Sequence, residues 1–253
     1  MVKNERQEKL LRLLSKENSM KVSELSEKLN SSMMTIRRDL DLLEQNGIVK
    51  RFHGGVMMTK TDVNQPSFYE RIEEFGEEKK AIGMEAVKHI KPGDIVFFDA
   101  GTTPLAMVEY LPDDLEFTAI TTGLLTAVAL CGKPKVNVVS IGGNIHPSSF
   151  SSISYVAVDF IRKLHADTAF ISTKSISLPE GTYEAQLPLI EVKEAIVEVS
   201  DQIILLADNS KFDNKSMCRA ITMDKIDLVI TDSKIKPEYI EQLKQLQTPY
   251  IIA

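Results

Sequence analysis

The chain has 253 residues, of which 43% are hydrophobic and 26% are charged. This composition suffices for a globular core that needs neither disulfides nor metal ions, and it excludes fibrous and low-complexity proteins. No apolar run approaches the roughly 20 residues of a membrane-spanning helix, so we expect no membrane partner. The cysteines Cys131 and Cys218 have no metal-ligand or redox spacing, and no signal peptide is recognisable. These features predict a cytoplasmic protein.

The net charge of -6 is divided unevenly along the chain. Residues 1–58 carry 11 Lys and Arg against 8 Asp and Glu, a charge of +3, and the remainder carries -9. A small basic head on an acidic body is typical of a protein in which only the head approaches phosphates, since repulsion holds the body off a nucleic-acid duplex.

The first 58 residues are predicted to form three helices followed by a hairpin. Ser32 precedes the third helix as a cap for its free amides, and Asn46-Gly47 supplies residues that tolerate positive φ at its end. Gly54-Gly55 then predicts a turn between two short strands, as in a β-wing. The helices are marked by apolar stripes at Leu10, Leu11, Leu13 and Leu14, at Val22, Leu25 and Leu29, and at Ile36, Leu40 and Leu43.

Residues 59–76 lack sustained periodicity and are interpreted as a linker between a domain over 1–58 and a second domain over 77–253. In the second domain, strands alternate with helices, which predicts an α/β fold with a mainly parallel sheet that is covered on both faces. The predicted strands are Ile95–Asp99, Phe117–Thr121, Val136–Ile141, Thr168–Ile171, Gln202–Ala207, Asp227–Ile230 and Tyr250–Ile252. The predicted helices are 77–90, 104–111, 123–130, 155–164, 188–199 and 237–246.

The third helix of the head has an outward face formed by Met34 and Arg38, flanked by Thr35 and Arg37. Arginine donates two parallel hydrogen bonds to guanine or clamps a phosphate, and threonine contacts a phosphate or a thymine methyl group. This face is therefore a candidate DNA-reading surface. The alternative is an ordinary solvated helix face, which is the more common fate of an isolated arginine pair.

The segments Thr35–Leu40 (TIRRDL), Leu43-Glu44, Gly47 and Arg51–Gly55 (RFHGG) resemble the DeoR-type bacterial transcription regulators. The resemblance implies a winged helix-turn-helix, with the helix-turn-helix motif at residues 20–39, that places its third helix in the major groove of double-stranded operator DNA. Ser31 departs from the family, which usually carries an apolar residue there. His53 is implied as a DNA contact of the wing, and the alternative is that it has only a structural role. The implied DNA contacts are Ser32, Met34, Thr35, Arg37, Arg38, Arg51 and His53.

Three loops of the second domain have small or hydroxyl residues directly after a predicted strand. These loops are Asp99-Ala100-Gly101-Thr102-Thr103, Thr121-Thr122-Gly123 and Ile141-Gly142-Gly143. Gly101 permits close approach of the backbone to a ligand, and free amides at a helix start favour an anion. Any one of these loops is an ordinary way to turn into a helix. Three of them at one sheet edge favour a phosphate-sized pocket.

Lys193 and Lys211 are the candidate cations for that pocket, and solvated surface lysines are the alternative. Residues 77–253 resemble the DeoR-type effector domain, itself similar to ribose-5-phosphate isomerase, through DAGTT at 99–103, the Gly pair at 142–143, Asp167 with Ala169-Phe170, Glu191, Lys193 and the D-x-S-K-F segment at 208–212. The resemblance implies a phosphorylated sugar as effector, bound by Asp99, Gly101, Thr102, Thr103, Thr121, Thr122, Gly142, Gly143, Asp167, Lys193 and Lys211.

Two departures from the effector-domain pattern concern the ligand. Thr121-Thr122 replaces the Thr-Asn that is common in the family, and Ser172–Ser175 replaces a glycine-containing loop. Within that loop, the side chain of Lys174 reaches a phosphate, fills the pocket or points to solvent, and the sequence leaves all three alternatives open.

These observations predict a sequence-specific DNA-binding regulator, a repressor of a carbohydrate operon whose DNA binding responds to a phosphorylated sugar. Paired half-sites need paired heads, so we expect a homo-oligomer. The alternative is a sugar-phosphate isomerase with an appended head, whose base would be Asp99, Asp167 or Glu191. Its catalytic loops are not recognisable. A purely structural DNA-binding protein would leave the three loops without a role. Scattered histidines and the lack of a nucleotide motif predict neither metal nor cofactor.

Overall fold

A computed structural model describes residues 5–17, 19–45, 49–52, 55–58 and 68–253. These residues separate into two compact units, and the division falls between Glu70 and Arg71. No helix among the described residues has both the length and the apolar character required to cross a bilayer.

The N-terminal unit is a winged helix-turn-helix. Its elements are α1 (Glu5–Glu17), β1 (Ser19–Lys21), α2 (Val22–Lys28), α3 (Met33–Gln45), β2 (Val49–Phe52) and β3 (Gly55–Met58). The three strands pair antiparallel in the order β1-β3-β2, which forms the wing. One cluster joins all three helices to the wing, and it consists of Leu10, Leu14, Met20, Val22, Leu25, Ile36, Leu40, Leu43, Val49 and Val56.

The turn between α2 and α3 fixes the entry of the third helix. Asn30 has a φ of 45°, in the left-handed region that asparagine tolerates better than most residues. Ser31, which departs from the family pattern, uses its hydroxyl to donate to the carbonyl of Leu29 at 3.1 Å. The serine therefore satisfies a backbone acceptor in the turn instead of filling an apolar contact. The glycine and asparagine predicted to end α3 lie outside the described residues.

The C-terminal unit contains a larger set of alternating elements. The helices are α4 (Phe68–Glu73), which crosses the division between the units, α5 (Gly76–Ala86), α6 (Thr102–Val108), α7 (Leu124–Leu130), α8 (Tyr155–Ile161), α9 (Leu187–Glu198) and α10 (Pro237–Gln245). The strands are β4 (Ile95–Phe98), β5 (Phe117–Thr121), β6 (Val136–Ser140), β7 (Ile145–His146), β8 (Ser151–Ser152), β9 (Ala166–Ile171), β10 (Ser175–Ser177), β11 (Gly181–Glu184), β12 (Ser200–Leu206), β13 (Cys218–Arg219), β14 (Leu228–Thr231) and β15 (Tyr250–Ile252).

Seven strands form one sheet in the order β15-β14-β12-β9-β4-β5-β6, and every pairing in it is parallel. Successive side chains of a strand point to opposite faces, so Val96 and Phe98 pack on one face of β4 and Phe97 on the other. The first face is covered by α5, α6 and α7, and the second by α8, α9 and α10. Both faces are buried, which explains why the strands are almost continuously apolar.

The predicted fold class, a winged helix-turn-helix followed by a mainly parallel α/β domain, is confirmed. Residues 59–76, predicted as an irregular linker, contain α4, whose six residues are too few to show helical periodicity. The two-stranded sheet β7-β8 and the antiparallel sheet β10-β11-β13 were also missed. Their strands have two to four residues each, too few to show an alternating pattern.

Candidate functional site

The outward side of α3 carries the residues predicted to read DNA. Met34 is 78% exposed, and Arg37 and Arg38 are also exposed, while Ile36 and Leu40 on the opposite side are buried. Because the buried side anchors the helix, the two guanidinium groups stand clear of the core. This geometry is the one that a helix needs to enter a major groove.

Ser32 and Thr35 are partly engaged at the start of α3. The backbone amide of Thr35 donates to Oγ of Ser32 at 3.2 Å, and the two hydroxyl oxygens lie 2.9 Å apart. Ser32 thus caps the helix, as its position predicts. Thr35 is half-buried, so only part of its side chain is open to a partner.

Asp39, the acidic residue within the basic TIRRDL segment, holds α3 against α1. It is 4% exposed. Arg6 approaches it with two nitrogens, Nε to Oδ2 at 2.6 Å and Nη2 to Oδ1 at 3.3 Å, and the side-chain amide of Gln7 donates to Oδ1 at 3.1 Å. This forked pair is a structural contact that fixes the direction in which α3 presents its arginines.

The wing contact predicted for Arg51 lies on β2, beside α3. Its guanidinium forms an ion pair with Asp41, and its backbone amide donates to Oε1 of Glu44 at 2.9 Å. The side chain therefore braces the wing against the helix in this structure. His53, the second predicted wing contact, lies outside the described residues.

In the C-terminal unit, Asp99 forms the centre of a buried polar network at the carboxyl end of β4. Its Oδ2 accepts hydrogen bonds from the backbone amide of Ser172 at 3.0 Å, from the hydroxyl of Ser172 at 2.8 Å and from Nζ of Lys193 at 2.7 Å. Its Oδ1 accepts from the amide of Ala100 at 2.8 Å. Asp99 therefore orders the loops that follow β4 and β9.

The phosphate contact predicted for Lys193 needs correction. Lys193 is 4% exposed, and its ammonium group contacts Asp99, the carbonyl of Ser172 and, at 3.3 Å, Oε1 of Glu184. Burial lowers the pKa of Lys193, but the carboxylates of Asp99 and Glu184 outweigh burial and raise this pKa above its ordinary value. The lysine stays charged and neutralises the network instead of facing a ligand.

Gly101 is required by the close approach of the loop after β9. A Cβ atom at this position would lie 2.1 Å from Oγ of Ser172, the hydroxyl that is hydrogen-bonded to Asp99. The next residues, Thr102 and Thr103, open α6 and are both buried. The predicted loop is thus packed against its neighbour.

The loops after β5 and β6 meet at the same edge. Oγ1 of Thr121 accepts from the amide of Gly123 at 3.0 Å, and the carbonyl of Thr122 accepts from the amide of Ser152 at 2.8 Å. Gly142 is exposed with open space around it. Gly143 has a φ of 137°, which favours glycine, and a Cβ there would lie 2.6 Å from Oγ of Ser154.

Four cationic side chains gather around this edge, and only one of them was assigned from the sequence. They are Arg71 of α4, Lys79 of α5, Lys174 of the loop after β9 and Lys211 of the loop after β12. Burial lowers the pKa of Lys174, and the charges of Lys211 and Arg71 lower it further. The side chain of Lys174 is half-buried and lies near Lys211 and Arg71, so it does not simply point to solvent.

Lys79 is the most perturbed member of the group. Burial lowers the pKa of Lys79 to about 8; Asp208 and Glu74 oppose this change, while Lys211 and Arg71 add to it. Burial lowers the pKa of Arg71 as well. Basic groups that depress one another's pKa values repel one another, and a bound anion would relieve that repulsion.

Asp167 lies at the opposite edge of the sheet, so its assignment to the pocket was wrong. It is the second residue of β9, and its Oδ2 accepts from the amide of Ile95 at the start of β4 at 2.7 Å. Because the strands are parallel, both residues belong to the amino edge. His165 and Asp201 lie beside it, with ligand-type atoms within 4.8 Å of one another. Their 3.2 Å contact is an exposed ion pair when the histidine is protonated.

Each of the two units matches the model of a known protein family. The model of the DeoR-like helix-turn-helix domain matches residues 6–62, and the model of the DeoR C terminal sensor domain matches residues 74–233. The chain belongs to the DeoR family of transcriptional regulators. The resemblance predicted from the TIRRDL and RFHGG segments is therefore confirmed, and with it the prediction of a DNA-binding regulator.

Relatives of the chain cover more than nine tenths of it. The HTH-type transcriptional regulator GolR of Listeria innocua is 34% identical over 98% of each chain. The glycerol-3-phosphate regulon repressor of Escherichia coli is 28% identical over 92% of each chain. The ribose 5-phosphate isomerase A of Methanocaldococcus jannaschii superposes on 55% of each chain at 14% identity, with a TM-score of 0.41. A likeness at this level has no bearing on activity or ligand.

Arg71 and Lys79 had no sequence signal that could have revealed them. Both come from helices outside the strand-to-helix loops, and only the fold brings them to the sheet edge. Glu184, which completes the buried network, comes from the short strand β11. Lys174 had a positional signal, since it lies in the loop that follows a buried strand.

Proposed function

We propose that this chain is a repressor of a carbohydrate operon and that a phosphorylated sugar bound at the carboxyl edge of the parallel sheet alters its affinity for operator DNA. The proposed DNA contacts are Met34, Thr35, Arg37 and Arg38 of α3. The proposed effector contacts are the glycine-containing loops at Gly101 and Gly142, together with Arg71, Lys174 and Lys211. The protein acts as a homo-oligomer, because paired half-sites require paired heads.

The observation that carries the effector proposal is the gathering of Arg71, Lys79, Lys174 and Lys211 at one edge of the sheet. The ammonium of Lys193 is already balanced by Asp99 within the buried network. Asp208 and Glu74 act on Lys79, and Glu184, which Lys193 also contacts, acts together with Glu74 on Arg71 and Lys174. Four positive charges against three negative charges leave a positive excess that favours a phosphate monoester, which carries a charge of about -1.5 to -2 at pH 7.

The isomerase alternative is disfavoured by the positions of its three candidate bases. Asp99 accepts four hydrogen bonds, so its carboxylate is held in place and poorly placed to abstract a proton. Asp167 is at the far edge of the sheet, and Glu191 is exposed on α9. We therefore propose a sensor without turnover. Pentose and hexosamine phosphates should be recovered unchanged after incubation with the protein, and conversion of any of them would refute this point.

The test is the affinity of the full chain for its own upstream DNA at fixed salt, against random duplex as competitor, with and without a panel of pentose and hexosamine phosphates. We expect specific binding that one member of the panel weakens. Binding that shows no preference for the upstream sequence would refute the proposal that the chain recognises an operator there. Specific binding that every sugar phosphate leaves unchanged would refute the effector assignment alone.

A further inference from the structure

The helix α4 is the place where the chain passes from one unit to the other. It is a continuous helix over Phe68–Glu73, and the division between the units falls within it, between Glu70 and Arg71. Any group in the C-terminal unit that holds α4 therefore acts on the covalent connection to the DNA-binding head.

Arg71 ties α4 to the loops of the sheet edge. Its Nη2 donates to the carbonyl of Ser148 at 2.8 Å. Ser148 belongs to the segment between β7 and β8, and that segment is fixed to the start of α7 by the amide of Leu124, which donates to the carbonyl of Phe150 at 2.8 Å. The guanidinium group that anchors α4 is thus one of the four cations of the candidate effector site.

Lys79 also holds α4, at its carboxyl end. Its ammonium group donates to the carbonyl of Arg71 in the last turn of the helix and to that of Glu74, the residue directly after the helix, and Lys79 is 3% exposed. A cation near the last carbonyls of a helix satisfies acceptors that lack a partner within the helix. The second cation of the site is therefore also a cap of α4.

The junction between α4 and α5 is strained. Phe75 has a φ of 55° in the left-handed region, and it is the residue directly before α5. A non-glycine residue in this region costs free energy and persists only where the surroundings hold it. The contacts of Lys79 with α4 on one side of Phe75 supply such a constraint, so weakening them favours a change of backbone at this junction.

We propose that Arg71 and Lys79 make α4 the element that transmits effector binding to the DNA-binding head. This inference rests on the proposed function, because it requires an anion at the sheet edge. Arg71 donates to the carbonyl of Ser148, and Lys79 donates to the carbonyls of Arg71 and Glu74. A phosphate offers charged acceptors that form hydrogen bonds roughly twice as strong as those to neutral acceptors. An anion beside Lys174 and Lys211 draws both donors toward itself, loosens their hold on α4 and lets the strained junction relax. Arg71 and Lys79 are positioning residues in this scheme.

The experiment separates binding of the anion from its effect on DNA. Inorganic phosphate is titrated into the full chain by calorimetry, and the affinity for its own upstream DNA is measured with and without saturating phosphate, with chloride added to equal ionic strength. The variants are Arg71→Ala, Arg71→Lys and Lys174→Ala, and Lys80→Ala is the matched control, since Lys80 is exposed on the same helix as Lys79 and pairs with Glu77.

We expect phosphate to weaken DNA binding by the wild-type chain by a factor within the usual range for coupled sites, about 5–150-fold. Lys174→Ala should need more phosphate yet show the full change at saturation. Arg71→Ala should still bind phosphate but show at most a twofold change, and Arg71→Lys should recover part of it. Lys80→Ala should match the wild type. A full change in Arg71→Ala would overturn the role of α4.

Two outcomes are kept apart by this design. A wild-type chain that binds neither inorganic phosphate nor any sugar phosphate of the panel refutes the effector assignment of the proposed function, and with it the transmission that depends on it. A wild-type chain that binds phosphate and releases DNA while Arg71→Ala does the same refutes only the transmission. Hydrogen exchange of the wild type covers the case in which the alanine variant misfolds. The amides of α4 should exchange faster with phosphate than with chloride, and unchanged protection would overturn the proposal.

Discussion

On α3, Arg37 and Arg38 stand exposed on a helix whose opposite side is buried, whereas Lys193 in the C-terminal unit is 4% exposed and lies between two carboxylates. An exposed arginine keeps its full hydrogen-bonding capacity for a partner such as DNA. The buried lysine already donates its hydrogen bonds to groups within the chain. Basic side chains are thus open to a partner in one unit and engaged within the chain in the other, and burial rather than charge makes the difference.

The largest predicted effect is the loss of stability that follows from removing Lys193. Lys193→Ala removes the only cation that contacts both Asp99 and Glu184 among the described residues. Two buried carboxylates without a neutralising cation should cost about 3–5 kcal/mol of unfolding free energy in the C-terminal unit. Thermal unfolding and hydrogen exchange of β4 and β9 measure it. The control is Lys163→Ala at an exposed i,i+4 pair with Asp159, which should change stability by less than about 1 kcal/mol. Equal effects would contradict the comparison.

A second prediction concerns two aspartates of α3 that differ in burial. Asp39 is 4% exposed and receives three hydrogen bonds, while Asp41 is exposed and pairs with Arg51. Asp39→Ala should destabilise the N-terminal unit by about 2 kcal/mol, a figure reduced because Arg6 is partly exposed and solvent screens the pair. Asp41→Ala should cost less than about 1 kcal/mol. Hydrogen exchange of the α1 and α3 amides measures both values. A larger loss from Asp41→Ala would reverse the argument.

The exposed arginines should affect DNA and not stability. Arg38→Ala should weaken specific binding to the upstream DNA by about tenfold, equal to about 1.4 kcal/mol, and leave thermal unfolding unchanged. The control is Arg219→Ala, an exposed arginine of the C-terminal unit. A fluorescence anisotropy titration against random duplex measures the effect. If Arg38→Ala binds the specific DNA as tightly as the wild type does, α3 does not present Arg38 to the bases.

The smallest predicted effect is a pH dependence of anion binding that arises from Lys79. Burial lowers the pKa of Lys79 to about 8, with Lys211 and Arg71 adding to this change and Asp208 and Glu74 opposing it. A bound dianion raises this pKa again, so binding takes up protons and weakens as the pH rises above 8, by about fivefold between pH 8 and 9.5. The ligand is the sugar phosphate selected by the DNA-release panel, whose second pKa near 6 keeps it a dianion throughout.

Calorimetry in two buffers of different ionisation enthalpy detects the proton uptake at pH 8.5. The uptake should disappear in Lys79→Met. Persistence of the same uptake in that variant would assign it to another group. The lowered pKa also affects folding. Because the unfolded chain binds more protons between pH 8 and the ordinary lysine pKa, this group lets stability increase with pH across that interval.

The sequence was sufficient for the architecture because the strands of the large sheet are apolar runs and most helices between them are long enough to show their period. Phe117–Thr121 and Tyr250–Ile252 were predicted with the bounds that the structure shows. The short helix α4 and the small sheets have too few residues for any period, so they were missed. In the head, the stripe of Ile36, Leu40 and Leu43 correctly separated the buried from the exposed side of α3.

The candidate site was predictable only where it consists of loops that follow strands. Gly101, Thr122 and Gly142 were located because parallel strands end at one edge. The sequence could not say which way a lysine points, so Lys193 was assigned to a ligand although it is buried. Asp167 was placed by family pattern, and the register of β9 puts it at the other end. Arg71 and Lys79 reach the site only through tertiary packing.

The central claim is that the sheet edge of the C-terminal unit controls the DNA affinity of the head. Its most direct test is the double variant Lys174→Ala, Lys211→Ala, bound to its own upstream DNA and titrated with the sugar phosphate that releases the wild type. We predict wild-type affinity in the absence of the sugar phosphate and no release at concentrations that free the wild-type chain. Release of the double variant at the wild-type concentration would contradict the claim.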